Sequence, residues 1–474
     1  ALSALAQQAK DNYDKKIVIL SDVESSSLPK EELYKQVDKL LLQWGIDELI
    51  GIGSEISRYQ NQFNLPKQFY ATTDAFIAES NLKNIQQSAV LLKCSRHFGF
   101  DKISDLLQLK AHNTVLEIDI DALAHNLGVF RQQLQPSTKI IAMVKAFSYG
   151  SGDVEVAQLM EYIRVDYLAV AVADEAVHLR KAGIETPIII MNPEQHSFQN
   201  IIDYRLDVNI YSLRLMRQFI KMLNKNAVKQ FPIHIKIDTG MNRLGLKNDA
   251  EIAAIIDIVK NNDCVKIKTI FSHLAASDDA EEDNFTTQQI NRFEQVYRVF
   301  QAAFDYKIEK HILNSSGVER FPDKQFDYVR LGIGLHGISR TNLPLKPISS
   351  LKSIVSQIKQ VNPGETVGYN RKEIATKKMQ IAIIPLGYAD GINRKLGNRT
   401  GSVYINGALA KIVGNVCMDM LMVDVTDMDV KEGDGVEIFG KHISINQIAK
   451  QTETIPYEVL TGISQRVKRV YLQK

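Results

Sequence analysis

The sequence predicts an α/β protein. It reads as a (β/α)8 TIM-type barrel over residues 112–350, an all-β domain over 351–474, and a small Rossmann-like α/β domain ahead of both over 1–111. Three observations carry this reading. Short apolar runs recur near 140–144, 167–171, 188–191, 207–210, 233–237, 267–271, 311–313 and 328–331, and amphipathic stretches such as Leu213–Leu223 and Ile252–Val259 fill the gaps between them. After about Leu351 that alternation gives way to strand-like runs: Ser353–Val361, Met379–Ile384, Gly401–Ile405, Lys411–Val416, Met420–Val425 and Val436–Phe439. In the first hundred residues the order is strand, helix, strand, as in a parallel α/β unit.

A chain of 474 residues exceeds a single ordinary core, so several domains are expected. Hydrophobic content of 45% with 24% charged residues describes an ordered globular protein, and a net charge of +2 argues against a dedicated nucleic-acid binder. No apolar stretch approaches the roughly 18 residues of a membrane span. The start, ALSALAQQAK, shows no basic region leading into an apolar core and no initiator Met, as expected of a processed or truncated chain without a signal peptide. Cys94, Cys264 and Cys417 are few and widely spaced, which suits a reducing cytoplasm and suggests neither a disulfide framework nor a zinc site.

In the first domain, Ile17–Leu20, Leu49–Ile52 and Ala89–Leu92 read as strands. Pro29 opens a helix with Glu31 and Glu32 in its first turn; Leu33, Val37, Leu40, Leu41 and Trp44 are expected on one face, and Gly45 stops it. GIGSE at 51–55 lacks the spacing of a dinucleotide loop and reads as a turn.

The chemistry concentrates in the barrel. In IIAMVKAFSYGSG (140–152) an apolar strand ends at Lys145, a Gly-rich turn follows, and a helix begins at Asp153. Most strand-end lysines are solvated. One held at a buried end can lose its proton near neutral pH and act as an imine-forming amine. The other unusual residues fall at the ends of later strands, where barrel sites lie: DTGMNRLG (238–245), SHLAASDD (272–279), NSSG (314–317) and Gly332. Ser315, with the backbone amides of Gly332 and Ile333, occupies the two loops that favour phosphate. An amine and a phosphate cradle on one barrel mouth point to pyridoxal phosphate.

Two resemblances follow. VILSDVESSSLPKEELYKQV and LLKCSRHFGF resemble the C-terminal domain of Mur ligases, specifically the one that adds D-alanyl-D-alanine to the UDP-muramoyl tripeptide, although Ser21, Val23 and Cys94 depart from its pattern. The chain carries no GKT-type phosphate loop. A folded appendage inactive as a ligase is therefore expected, with Lys93 and Arg96 as the residues of any contact function. VKAFSYGSG, KIDTGMNRLG, NSSG…RFPD, YVRLGIGLHG, IPLGYADG, GNVCMDMLMVDVT and YEVLTGISQRVKRVY, in that order, resemble the landmarks of bacterial alanine racemases from Thr114 onward. Phe147, Ser148, Ser151, Asn242 and His336 differ from the family's usual residues.

The second resemblance implies a homodimer with shared sites that interconverts L- and D-alanine for peptidoglycan, with pyridoxal 5'-phosphate as cofactor. It implies Lys145 and the partner's Tyr388 as opposed bases, Arg243 and His273 as catalytic companions, and Arg243 with Met418 at the substrate. Tyr149, Ser315, Arg330, Gly332, Ile333 and Tyr457 hold the cofactor by the same resemblance. Lys236 matches a lysine that many members carry as a carbamate; a structural Lys–carboxylate pair is the alternative. An arginine at position 330 argues against decarboxylases of the same barrel class, which use a carboxylate there. A broader amino-acid racemase and a non-catalytic cofactor-loaded module are the competing readings.

Overall fold

The computed structural model describes residues 15–23, 28–80, 88–107 and 114–473, with isolated positions besides. Contacts divide the chain into two units, Ala1–Ala111 and His112–Gln473.

The described part of the first unit is a parallel sheet. Its strands are β1 (Lys15–Ser21), β2 (Glu48–Ile52), β3 (Lys67–Tyr70) and β4 (Ser88–Lys93), in the order β3-β2-β1-β4. The β3 strand was not foreseen: KQFY is short and only half-buried. The helix Lys30–Gln43 follows Pro29 as expected, and Gly45 stops it in the left-handed region at φ 61°. Its buried face is Tyr34, Asp38 and Leu41, whereas Leu40 and Trp44 are exposed. The expected face was rotated because polar Asp38 was not counted. Its carboxylate is buried by accepting hydrogen bonds from the backbone N and side-chain Nδ2 of Asn64, at 2.9 and 2.6 Å. Lys93 ends β4, and the side chain of Arg96 lies outside the described residues.

In the second unit, eight parallel strands close into a barrel: β6 (Lys139–Met143), β7 (Tyr167–Val170), β8 (Ile188–Ile190), β9 (Asp207–Ile210), β10 (Phe231–Lys236), β11 (Val265–Phe271), β12 (Glu309–His311) and β13 (Tyr328–Leu331). Runs such as Ile188–Ile190 are buried on both faces, as parallel strands under a helical coat must be. The seventh strand ends at His311, two residues before the predicted end. It pairs with β13 only at His311, and Ile312 and Leu313 belong to the loop.

The remaining large sheet runs β15-β18-β21-β20-β19-β22-β14-β5-β23, where β18 is Met379–Ile384, β21 is Leu421–Asp424 and β22 is Gly435–Phe439. It recruits β5 (Val115–Asp119) from ahead of the barrel, flanked by β14 (Ser349–Ile354) and by the terminal β23 (Lys468–Leu472), which runs parallel to it. The predicted strand 353–361 is two strands, because the chain leaves β14 before Val355 and joins another edge as β15 (Gln357–Val361). The predicted strand 411–416 lies earlier, as β20 (Ala408–Val413), set by a two-residue turn. Asn406 and Gly407 have φ of 45° and 91°, so Ile405 of β19 (Ser402–Ile405) pairs with Ala408. Helices do not stop after Leu351: Pro456–Thr461 packs on the Lys145–Tyr149 turn, and Ile445–Thr452 packs against Pro456–Thr461.

Candidate active site

Among the described residues, the segment after β6 holds the longest run of non-glycine residues with positive φ. Ala146, Phe147, Ser148 and Tyr149 all have φ between 47° and 55°, forming a single left-handed turn where an ordinary Gly-rich turn was expected. Each such residue costs roughly 1–2 kcal/mol without a glycine to absorb it, so neighbours must hold the turn. Glu175 does so from one side: its Oε1 accepts the Ala146 amide at 2.7 Å, while Oε2 accepts the amides of Ala171 and Val172 at 2.7 and 3.3 Å. From the other side Arg469 lies over the Phe147 ring and donates from Nε to the Gly150 carbonyl at 2.9 Å. Gly150, at φ 83°, admits no side chain, because a Cβ there would sit 2.4 Å from the Leu460 carbonyl oxygen.

This turn projects Lys145 and Tyr149. The Lys145 amine makes no hydrogen bond or ion pair with the described residues. Burial and then the nearby Arg243 pull its proton affinity below the ordinary lysine value, against a smaller opposite pull from Glu175. The Tyr149 hydroxyl reaches β13's exit so closely that a Cβ on Gly332 would stand 2.3 Å from it. Its ring packs 4.9 Å from His336 and 5.9 Å from Tyr457, centroid to centroid.

Ser315 begins the short helix after β12, and its Oγ accepts the amides of Gly332 (3.0 Å) and Gly334 (3.3 Å). The Gly332 amide is therefore bonded within the protein, beside the place expected for the cofactor. With both lone pairs of Ser315 engaged, its hydroxyl hydrogen must point elsewhere. That hydrogen, the Ile333 amide at the start of the next turn, and the phenols of Tyr149 and Tyr457 make a cluster of neutral donors suited to a phosphate. Burial raises the pKa of both phenols, so each keeps its hydrogen to donate. The chemistry of this donor set fits the phosphate of pyridoxal phosphate, and the unpaired Lys145 amine fits its aldehyde.

Deeper in the barrel, Arg330 is 3% exposed and donates to His311 Nδ1 (2.5 Å) and to the carbonyls of Ser272 and Ile312 (both 2.7 Å). Burial pulls its pKa down to about 9, which still leaves it charged at neutral pH. His273 Nδ1 lies 3.5 Å from Arg330, and burial, then Arg330 and Arg243, hold the imidazole well below its ordinary value and neutral. Lys236 ends β10 and is 6% exposed. Its pKa falls to about 8 through burial and then the charges of Arg243 and Arg330. The acidic neighbour Asp238 directs its Oδ1 to the amides of Gly240 and Asn242, and no carboxylate pairs with Lys236 among the described residues. Asn242, where glycine is the family's usual residue, has φ 56°.

The side chains of Tyr388 and Met418 make no hydrogen bond or ring contact with Lys145, Tyr149, Ser315 or Arg330. The Tyr388 turn is tied to the Cys417–Met418 segment by Tyr388 N to Cys417 O and Ala389 N to Met418 O, both 3.0 Å. Both side chains face outward, 42% and 53% exposed. Sequence reasoning missed Glu175 and His311. Glu175 is legible only as an acidic residue in the first turn of a helix, and His311 only as the polar residue ending a buried strand.

Fold and site together define a (β/α)8 barrel of the class that carries pyridoxal phosphate on a strand-end lysine. Models of the alanine racemase N-terminal and C-terminal domains match residues 118–340 and 348–471. Alanine racemase 1 of Clostridium acetobutylicum is 37% identical over 371 residues, covering 75% of this chain and 95% of that protein. The alanine racemase of Methanococcus maripaludis is 33% identical over 375 residues, covering 76% and 99%. Among solved structures, alanine racemase of Clostridium difficile 630 superposes with a TM-score of 0.72 at 35% identity, covering 77% of this chain and 96% of that one. The Bartonella henselae alanine racemase, described with covalently bound pyridoxal phosphate, gives a TM-score of 0.70 at 31% identity, covering 76% and 100%. The chain belongs to the alanine racemase family.

Proposed function

We propose that this protein racemises alanine with pyridoxal phosphate, in a homodimer whose sites each take Tyr388 from the partner subunit. The observation that carries the reading is the unpaired, proton-poor amine of Lys145 beside a cluster of neutral phosphate donors. When bound, the cofactor withdraws electrons from the substrate's α-carbon and so makes its hydrogen removable. Ser315, the Ile333 amide, Tyr149 and Tyr457 hold the phosphate and thereby set the distance to Lys145 Nζ. Lys145 takes or returns the α-hydrogen on one face and the Tyr388 phenol on the other, which inversion at carbon requires. Arg330 presents a guanidinium to the ring nitrogen and does not hand over its proton readily, so the electron sink stays weak and return of the proton is favoured. Arg243, with Met418 of the partner, borders the substrate, and His273 stays neutral beside Arg330.

The exposed Tyr388–Met418 surface supports the dimer, because two residues of the proposed site are 42% and 53% exposed in the single chain. Lys236, near the three cations Arg243, Arg330 and Lys145 and opposed only by a smaller pull from Asp238, suits a carbamate. The domain bounds 1–111, 112–350 and 351–474 belong to the same reading, as do a ligase-derived first domain without ATP chemistry, a cytoplasmic location and D-alanine supply to peptidoglycan. No described helix is long and apolar enough to cross a membrane. The test is chiral analysis of L-alanine incubated with the cofactor-loaded protein. D-alanine should form, alanine should outpace serine and lysine, and Lys145→Ala should abolish the reaction. Faster serine or lysine turnover would move the reading to a broader racemase.

A further inference from the structure

Behind the site a single file of buried polar groups crosses the barrel interior. Arg330 Nη1 lies 2.5 Å from His311 Nδ1; His311 Nε2 lies 3.1 Å from Thr269 Oγ1; Thr269 Oγ1 lies 2.7 Å from His234 Nδ1; and His234 Nε2 lies 3.1 Å from Asp207 Oδ2. All five residues are at most 8% exposed, in strands β9 to β13. Asp207 lies at the first position of β9, the end of that strand away from the mouth, and His234 lies within β10, two residues before Lys236. Tyr167 donates to the same Asp207 oxygen at 2.8 Å, and Lys268 stands 3.9 Å away.

The proton positions follow from the two ends. A guanidinium can only donate, so His311 Nδ1 accepts and its hydrogen is on Nε2. A carboxylate can only accept, so His234 donates from Nε2. Thr269 has one hydrogen; accepting from His311, it gives that hydrogen to His234 Nδ1. Every group is satisfied in one direction only, from Arg330 to Asp207. Burial works against the ionised Asp207, but the hydrogen bonds from His234 and Tyr167 outweigh it and hold the carboxyl below its ordinary pKa.

We infer that Asp207, through His234 and Thr269, is a positioning residue for the cofactor site: it fixes the tautomer of His311 and so keeps Arg330 seated as a donor facing the cofactor ring. This role rests on the racemase reading for its consequence but not for its mechanism. Without the carboxylate, His234 and Thr269 can reverse, His311 can carry its hydrogen on Nδ1, and that hydrogen would confront Arg330. A displaced Arg330 no longer weakens the electron sink. More turnovers then end with the α-hydrogen on the cofactor's former aldehyde carbon and the amino group of alanine left there as pyridoxamine phosphate, while water supplies the keto oxygen of the pyruvate released.

The experiment compares Asp207→Asn, Thr269→Val and Asp207→Glu, each checked by circular dichroism for the native fold. Nitrogen-15 histidine spectra report the His311 tautomer, and pyridoxamine phosphate formed per racemisation reports the partition. Wild type should show the Nε2–H tautomer. Asp207→Asn and Thr269→Val should shift it toward Nδ1–H and raise the partition about tenfold, the effect of one lost hydrogen bond to a charged group; Asp207→Glu should restore both. Folded Asn and Val variants with the wild-type tautomer would overturn the inference, and so would an altered tautomer with an unchanged partition. Thr269→Val covers the case in which Asp207→Asn does not fold. If the wild-type protein fails to racemise alanine, the tautomer spectra still decide the relay, so that failure is distinguishable from this one.

Discussion

Glu175 accepts the amide of Ala146 at 2.7 Å, and the left-handed turn that presents Lys145 begins at that amide. One carboxylate thus joins the loops after β6 and β7 and offsets part of the strain in four consecutive residues. Glu175→Ala should release the turn and weaken cofactor retention about tenfold, the effect expected of a charge-assisted hydrogen bond. Glu175→Gln, which keeps an acceptor, should lose less. Equilibrium dialysis of pyridoxal phosphate checks this, and unchanged retention in the alanine variant would remove Glu175 from the account.

Lys236 should take up carbon dioxide. Only the neutral amine reacts, and burial with neighbouring Arg243 brings the pKa to about 8, so about a tenth of the amine is neutral at pH 7, far more than for an ordinary lysine. Protein equilibrated with ¹³C-bicarbonate should show a carbamate carbonyl resonance. It should be absent from Lys236→Met and should shrink as the pH falls below about 8, where the ammonium form dominates. A resonance of equal intensity in Lys236→Met would place the modification elsewhere.

His336 makes the barrel acid-sensitive. It is 3% exposed, its Nδ1 lies 3.4 Å from Ser151 Oγ, and burial pushes its pKa down to about 3. The unfolded chain binds a proton below pH 6.5 and the folded chain does not until about 3. Stability is therefore lost as pH falls through that window, by about 2 kcal/mol at pH 5. His336→Phe should flatten the dependence of Tm on pH between 7 and about 4. A slope equal to wild type would show that other groups dominate.

Much of this was legible in the sequence because buried parallel strands leave long apolar runs. The Tyr328–Leu331 strand falls where YVRL predicts it, and the Asn406–Gly407 turn forms between paired strands. What was hidden depends on contacts distant in sequence. KAFSYGSG looks like a glycine turn, and only the clamps from Glu175 and Arg469 explain a left-handed one. Val115–Asp119 carries a strand pattern but no sign that it belongs to a sheet built mostly from residues beyond 349. Leu40 and Trp44 were assigned to a buried face that Tyr34 and Asp38 occupy instead. At the site, the strand-end rule points to Lys145 and Ser315 and the family resemblance to Arg330, while His311 escapes both because its contacts appear only when β11, β12 and β13 lie side by side.

The central claim is that Lys145 of one subunit and Tyr388 of the other serve the same site, and mixed dimers test it most directly. Lys145→Ala and Tyr388→Phe homodimers should each lose about 10²–10⁴-fold in alanine racemisation, as loss of a positioned acid–base group does. Co-expressed with different affinity tags and purified as a hybrid, the two chains would form one site with both native groups and one with neither. The account predicts a hybrid with about half the wild-type rate per dimer. A purified hybrid no more active than its parents would contradict it, because Lys145 and Tyr388 would then have to come from the same chain.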